Sequence, residues 1–234
     1  MSDLNQTMAF SQLLERCQRI EVPLIQRDYA QGRESEKDVR DDFLKALHGA
    51  LALPAGDPKL PLNLDFIYGS TTGGNTSSFL PLDGQQRLTT LFLLHWYLAW
   101  QDGQLAEFQN RMWDGKHSRF TYGVRPSSTE FFDALVNYLP PLTPSAVSSI
   151  KMLLQDEPWF FLHWRLDPTI QAALTMLDSM HQRFKSSSGL YSRLINSAEP
   201  VITFQLLPLE HFGLSDDLYI KMNARGKPLT PFET

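Results

Sequence analysis

The chain has 234 residues, 42% hydrophobic and 20% charged, which is the composition of an ordinary globular domain and not of a disordered or membrane-spanning one. A net charge of -5 argues against a surface given over wholly to nucleic acid, because such surfaces carry a basic excess. One cysteine, Cys17, rules out an internal disulfide and a cysteine-built zinc site, and fits a reducing cytoplasm.

Taken in order, the elements begin with a helix from about Thr7 to Gln18, in which Phe10, Leu13, Leu14 and Cys17 form one apolar face and Cys17 acts as a small buried hydrophobe. No secretory signal precedes it, since the N-terminus opens with Ser2, Asp3, Asn5 and Gln6. Ile20 to Leu24 reads as a short strand, placed at a sheet edge by Pro23. Ser35 is positioned to cap a second helix carrying Val39, Phe43 and Leu47. Three prolines and a glycine make residues 53–61 a loop. Phe66 to Tyr68 and Phe79 to Leu82 then read as strands joined by a turn at Gly73-Gly74-Asn75.

The second of these strands runs into Asp83-Gly84 and a long helix ending near Trp100. Its apolar run from Leu88 is broken by His95 and falls short of the roughly 20 residues that span a bilayer, so it is a core helix. The middle, 101–197, is mainly helical. Ser127-x-x-Glu130 is a capping box, and Asp167-Pro168 supplies an N-cap and an N1 proline to a helix bearing Ile170, Leu174, Leu177, His181 and Phe184. Residues 186–189 break the chain, Val201 to Leu207 returns to strand, and Asp216 to Asn223 reads as a short helix before a turn at 224–228. Thr230-Pro231-Phe232-Glu233 has the form of a helix start, so a longer polypeptide is expected.

Three segments hold residues suited to phosphate chemistry. Asp83-Gly84-Gln85-Gln86-Arg87 combines a helix N-terminus, a glycine permitting close approach, and a cation in the first turn. Asp83 is placed to hold a divalent metal or act as general base, with Gln85 or Gln86 orienting a water. The same residues read equally well as a capping box, with Asp83 as N-cap and Gln86 at N3. In Gln26-Arg27-Asp28-Tyr29, Arg27 suits a phosphate and Tyr29 a base, or the segment is an ion-paired loop. In Asn223-Ala224-Arg225-Gly226-Lys227 the cations flank a glycine, or simply favour a helix C-terminus. No P-loop lysine follows Gly73-Gly74, the six histidines have no metal-ligand spacing, and no paired histidines of an HNH nuclease are present.

Taken together and in this order, Val22 to Tyr29, Leu82 to Leu91 and Met222 to Thr230 resemble the signature of the GmrSD-type restriction-protein N-terminal domain, a family also known as domain of unknown function 262. Phe120-Thr121-Tyr122 through Phe132 resembles a further family segment. The resemblance covers nearly the whole chain. It implies an α+β fold with a ParB/sulfiredoxin-like mixed-sheet core (about 1–100 and 198–234) and a helical insertion (about 101–197), making one domain over 1–234.

By the same resemblance the domain binds and hydrolyses nucleoside triphosphates with a divalent metal, Mg2+, at Asp83. It works in the cytoplasm, meets DNA through the full-length protein and gates a nuclease elsewhere, commonly a C-terminal HNH-type domain. Asp83, Gln85, Gln86 and Arg87 map onto the hydrolysis motif. Gln26, Arg27, Tyr29, Gly84, Asn223, Arg225 and Gly226 map onto nucleotide binding, and all three motifs are expected to share one pocket. The sequence departs at Gln31, where many members carry tryptophan, which puts base preference in question. The alternative is a non-catalytic module sensing nucleotide or modified DNA, which the fold alone cannot distinguish.

Overall fold

A computed structural model describes residues 6–23, 29–72, 77–123 and 125–208. Along these the chain forms β1 (Gln6–Met8), α1 (Phe10–Arg16), β2 (Arg19–Val22), α2 (Lys37–Ala52), β3 (Leu62–Thr72), β4 (Ser78–Asp83) and α3 (Gln85–Gln101). It continues through α4 (Leu105–Met112), β5 (Phe120–Tyr122), α5 (Pro126–Asn137), α6 (Ile150–Gln155), α7 (Pro168–Phe184), α8 (Leu190–Leu194) and β6 (Ile202–Pro208). The class is α+β, as expected from the sequence.

The strands form one mixed sheet in the order β1-β6-β3-β4-β2-β5. β1 pairs antiparallel with β6 where a helix was expected to begin; the helix starts only at Phe10. β2 lies between β4 and β5, not at an edge. Pro23 misled because it follows the last residue of the strand, where its missing N–H costs the ladder nothing. β5 brings a strand to the sheet from the otherwise helical middle. The 186–189 break between α7 and α8 and the strand near Val201 appear as expected.

Every residue of α3 from Leu88 to Trp100 is buried, as a helix apolar on all faces must be. α7, α4, α8 and α1 pack around it. Cys17 is buried as expected; burial pushes its thiol up to about 11, against an opposing pull from Arg119.

β3 departs from a regular strand at its start. Asp65 has a φ of 61°, and the register with β6 shifts between Asn63 and Phe66. Alternation would put Leu64, Phe66 and Tyr68 on one face. The extra residue instead turns Leu64, Ile67 and Gly69 inward and leaves Phe66 39% exposed.

Two expected caps are not formed. Ser35 sits in a 3-10 turn, and α2 begins at Lys37 with Glu36 as an N-cap that makes no side-chain bond. The buried face of α2 runs through Arg40, Leu44, Leu47 and Leu51, so Val39 faces outward. Ser127 does not cap α5, because the helix starts earlier, at Pro126 with Arg125 as N-cap; its hydroxyl instead donates to Asp167 at 2.6 Å, beside Ser128 at 2.9 Å. Asp167 itself caps α7 as expected, accepting from the Thr169 and Ile170 amides at 2.9 and 3.3 Å. All five expected apolar-face residues of α7 are buried.

His95 interrupts the apolar helix as a neutral core residue. Its Nδ1 bonds the Leu91 carbonyl at 2.7 Å, and its ring lies 4.9 Å from that of Phe10. Burial lowers its pKa to about 4. Above pH 6.5 the ring is neutral in both folded and unfolded chains. Between about 6.5 and 4 only the unfolded chain takes up the proton. Stability is therefore expected to fall by up to about 3 kcal/mol as pH drops through that window. Unfolding by urea across a pH series checks this, and the slope should flatten in His95→Asn.

Candidate functional site

The turn from β4 into α3 depends on Gly84. Its φ is 84°, and a Cβ there would lie 2.7 Å from Ile67 Cγ1, so only glycine fits without strain. Gly84 is also the N-cap of α3, and no side chain caps it. The expected Asp83–Gln86 capping box is thus not formed. Asp83 is the last residue of β4, with its side chain 68% exposed, 3.5 Å from the Arg87 guanidinium.

Both glutamines are used to hold the turn. Gln85 is buried and donates to the carbonyls of Pro81 and Leu82 at 3.2 and 2.8 Å. Gln86 Oε1 accepts from the amides of Ala30 and Gln31 at 2.7 and 3.1 Å. That segment is fixed from other sides too. Tyr29 bonds Thr90 Oγ1 at 2.7 Å, and Thr90 donates to Gln31 Oε1 at 2.7 Å. Arg40, buried on α2, donates to the carbonyls of Gln31 and Arg33 at 3.1 and 2.8 Å. At Gly32 a Cβ would fall 1.9 Å from the Ala172 carbonyl oxygen of α7. The chain just after the first motif is therefore locked to the start of α3.

Tyr29 requires a correction. Its ring is 0% exposed, and burial pushes the phenol well above its usual range. A base cannot stack on it; the tyrosine supports the site from beneath.

An open cavity of about 570 Å3 lies against this junction. β4 ends at Asp83, opposite Tyr68, so the stretch of β3 before Tyr68 has no β4 partner. Arg87 covers part of that edge by donating to the Leu64 carbonyl. Asp83 and Arg87 line one part of the cavity, Val39 and Phe43 of α2 another, and the bulged start of β3 a third. Gln31 also lines it, whereas Gln85 and Gln86 do not. Arg87 keeps donors to spare, because a guanidinium has five. Its long, partly exposed pairing with Asp83 is worth about 1 kcal/mol and leaves the guanidinium able to exchange it for an anion.

Among the described residues, no three His, Cys, Asp or Glu side chains gather to hold a metal ion. Mg2+ commonly takes one or two carboxylates and completes its shell with water and phosphate, and the exposed carboxylate of Asp83 fits that mode. Gln26 and Arg27 lie outside the described residues, as do Asn223, Arg225, Gly226, the glycine turn at 73–75 and the expected C-terminal helices. β6 nevertheless ends close by, since Tyr68 pairs with Asp83 on one side and Leu207 on the other. Two strand spacings, about 10 Å, separate those neighbours. Sequence reasoning missed Arg40 and the Val39–Phe43–Phe66 wall. The available signal for the former was its helical spacing, four residues before Leu44 and seven before Leu47, which puts Arg40 on the buried face of α2.

The model of the GmrSD restriction endonuclease N-terminal domain matches residues 10–234, and the chain belongs to that family. With that membership comes a role in restriction. No curated protein sequence matches the chain. No helix among the described residues is long and apolar enough to cross a membrane.

The Gln86 bridge gives a measurable expectation. In Gln86→Ala the Ala30 and Gln31 amides lose their acceptor, and hydrogen exchange there should accelerate at least tenfold while the core of α3 keeps its protection. Unchanged exchange at residues 30 and 31 would contradict the bridging role.

Proposed function

We propose, taking membership of this family as the premise, that the domain binds a nucleoside triphosphate in the cavity beside Asp83 and Arg87, hydrolyses it, and so gates a nuclease elsewhere in the full protein. The carrying observation is that an exposed carboxylate and an arginine with spare donors meet at the head of a helix, beside the segment that follows the first family motif. Arg87 would grip phosphate oxygens, aided by the positive end of α3. Asp83 would hold Mg2+, which supplies charge neutralisation on the phosphates, or would take a proton from the attacking water. Gln85 and Gln86 would act through the shape of the turn, since both are bonded to backbone groups.

Gln26, Arg27, Asn223, Arg225 and Gly226 belong to the same proposal through the family motifs. Contact with DNA, and with a C-terminal domain of the same polypeptide, is proposed for the full protein in a cytoplasmic setting. One observation favours the second reading, a sensing module without turnover. The two glutamines expected to orient water are both bonded to backbone and lie outside the cavity lining.

Phosphate release from ATP or GTP with Mg2+ separates the readings. Asp83→Ala should slow release by about 100-fold and Arg87→Ala should weaken nucleotide binding, with thermal unfolding as the check on folding. Activity unchanged in both variants would sink the hydrolytic proposal. Saturable binding without release would establish the sensing module in its place.

A further inference from the structure

We infer that the nucleobase of the proposed nucleotide lies against Phe66, with Val39 and Phe43 of α2 opposite, so that the start of β3 and the outer face of α2 form the base site. The inference rests on the triphosphate reading above and concerns where the rest of that ligand goes. Loss of Tyr29 as a stacking partner leaves the base without the aromatic that the sequence suggested. The cavity supplies another.

Three observations converge on it. First, the volume, about 570 Å3, lies within the usual range of roughly 300–1,000 Å3 for small-molecule sites. Phosphates at Arg87 therefore leave room for a sugar and base. Second, beside the polar Asn63 and Asp65, the wall away from Arg87 carries well-exposed apolar side chains: Val39 is 54% and Phe66 39% exposed, and the Phe66 ring lies 6.0 Å from that of Tyr68. Third, Phe66 faces outward because of the bulge, and the bulge holds Asp65 at a φ of 61°. A non-glycine residue in that region carries strain, which structures retain where it shapes a site. Without the extra residue, Phe66 would fall on the face with Leu64 and the cavity would lose its ring. Aromatic stacking accepts any base. Gln31, whose oxygen is taken by Thr90, brings an amide to the cavity lining that suits acceptors on a base edge.

The test measures binding of ATP, GTP and inorganic tripolyphosphate to the 234-residue chain with Mg2+, in wild type, Phe66→Ala and Phe66→Tyr. Phe66 is partly exposed, so the variants should fold, and their melting curves confirm it. Phe66→Ala is expected to weaken both nucleotides about tenfold, to leave tripolyphosphate unchanged, and to be rescued by Phe66→Tyr. Equal affinity of all three proteins for ATP and GTP would overturn the base site while leaving the phosphate reading intact. An equal loss for tripolyphosphate would overturn it too, by showing a general collapse of the cavity. If wild type binds none of the three probes, both the phosphate reading and the base site fall.

Discussion

The oxygen of a single glutamine side chain holds two stretches of backbone, 55 residues apart in sequence, at one place. Gln86 accepts from two successive amides, and neither amide has a strand or helix of its own to satisfy it. Partly buried backbone donors cost stability when left unpaired, so the segment at Ala30–Gln31 and the first turn of α3 constrain each other. The rest of the site follows from that junction. Gly84 lets β4 turn sharply enough to present the first turn of α3, and Tyr29, Thr90 and Arg40 support the joined segment from below. Asp83 and Arg87 are left at the rim, beside an open cavity.

The rigidity of this arrangement comes from the core beneath it. α3 is buried along nearly its whole length, so its N-terminus cannot shift without moving the helices packed around it. A phosphate site built on such a helix is preorganised, whereas β3 offers the contrasting device of a deliberate irregularity. There the chain gives up regular pairing, and the gain is an aromatic ring turned into the cavity.

Much of this was legible in the sequence. The apolar run Leu88–Trp100 announced the core helix, Asp167-Pro168 announced the start of α7, and the segment from Val201 announced a sheet strand. These signals are local and strong. What misled was local chemistry with a stronger tertiary competitor. Ser127 and Glu130 fit a capping box, yet Ser127 is drawn to the buried carboxylate of Asp167. Asp83 and Gln86 fit another, yet Gln86 is claimed by amides that only the folded chain brings near. Tyr29, in a polar cluster, read as a partner for a base or as part of an ion-paired loop, and the core took it. The bulge at Asp65 left no trace in the sequence, because aspartate at that position reads as an ordinary polar residue before a strand. The outward turn of Phe66 could not be read for the same reason.

On the function proposed above, one cavity, framed by Asp83, Arg87 and the bulged start of β3, receives a nucleoside triphosphate. A crystal structure of the chain with a non-hydrolysable triphosphate and Mg2+ tests it most directly. Phosphates are expected within hydrogen-bond reach of the Arg87 guanidinium, the metal on the Asp83 carboxylate, and the base on the Phe66 side of the cavity. A triphosphate bound elsewhere, with Arg87 still bonded to the Leu64 carbonyl and paired with Asp83, would contradict it.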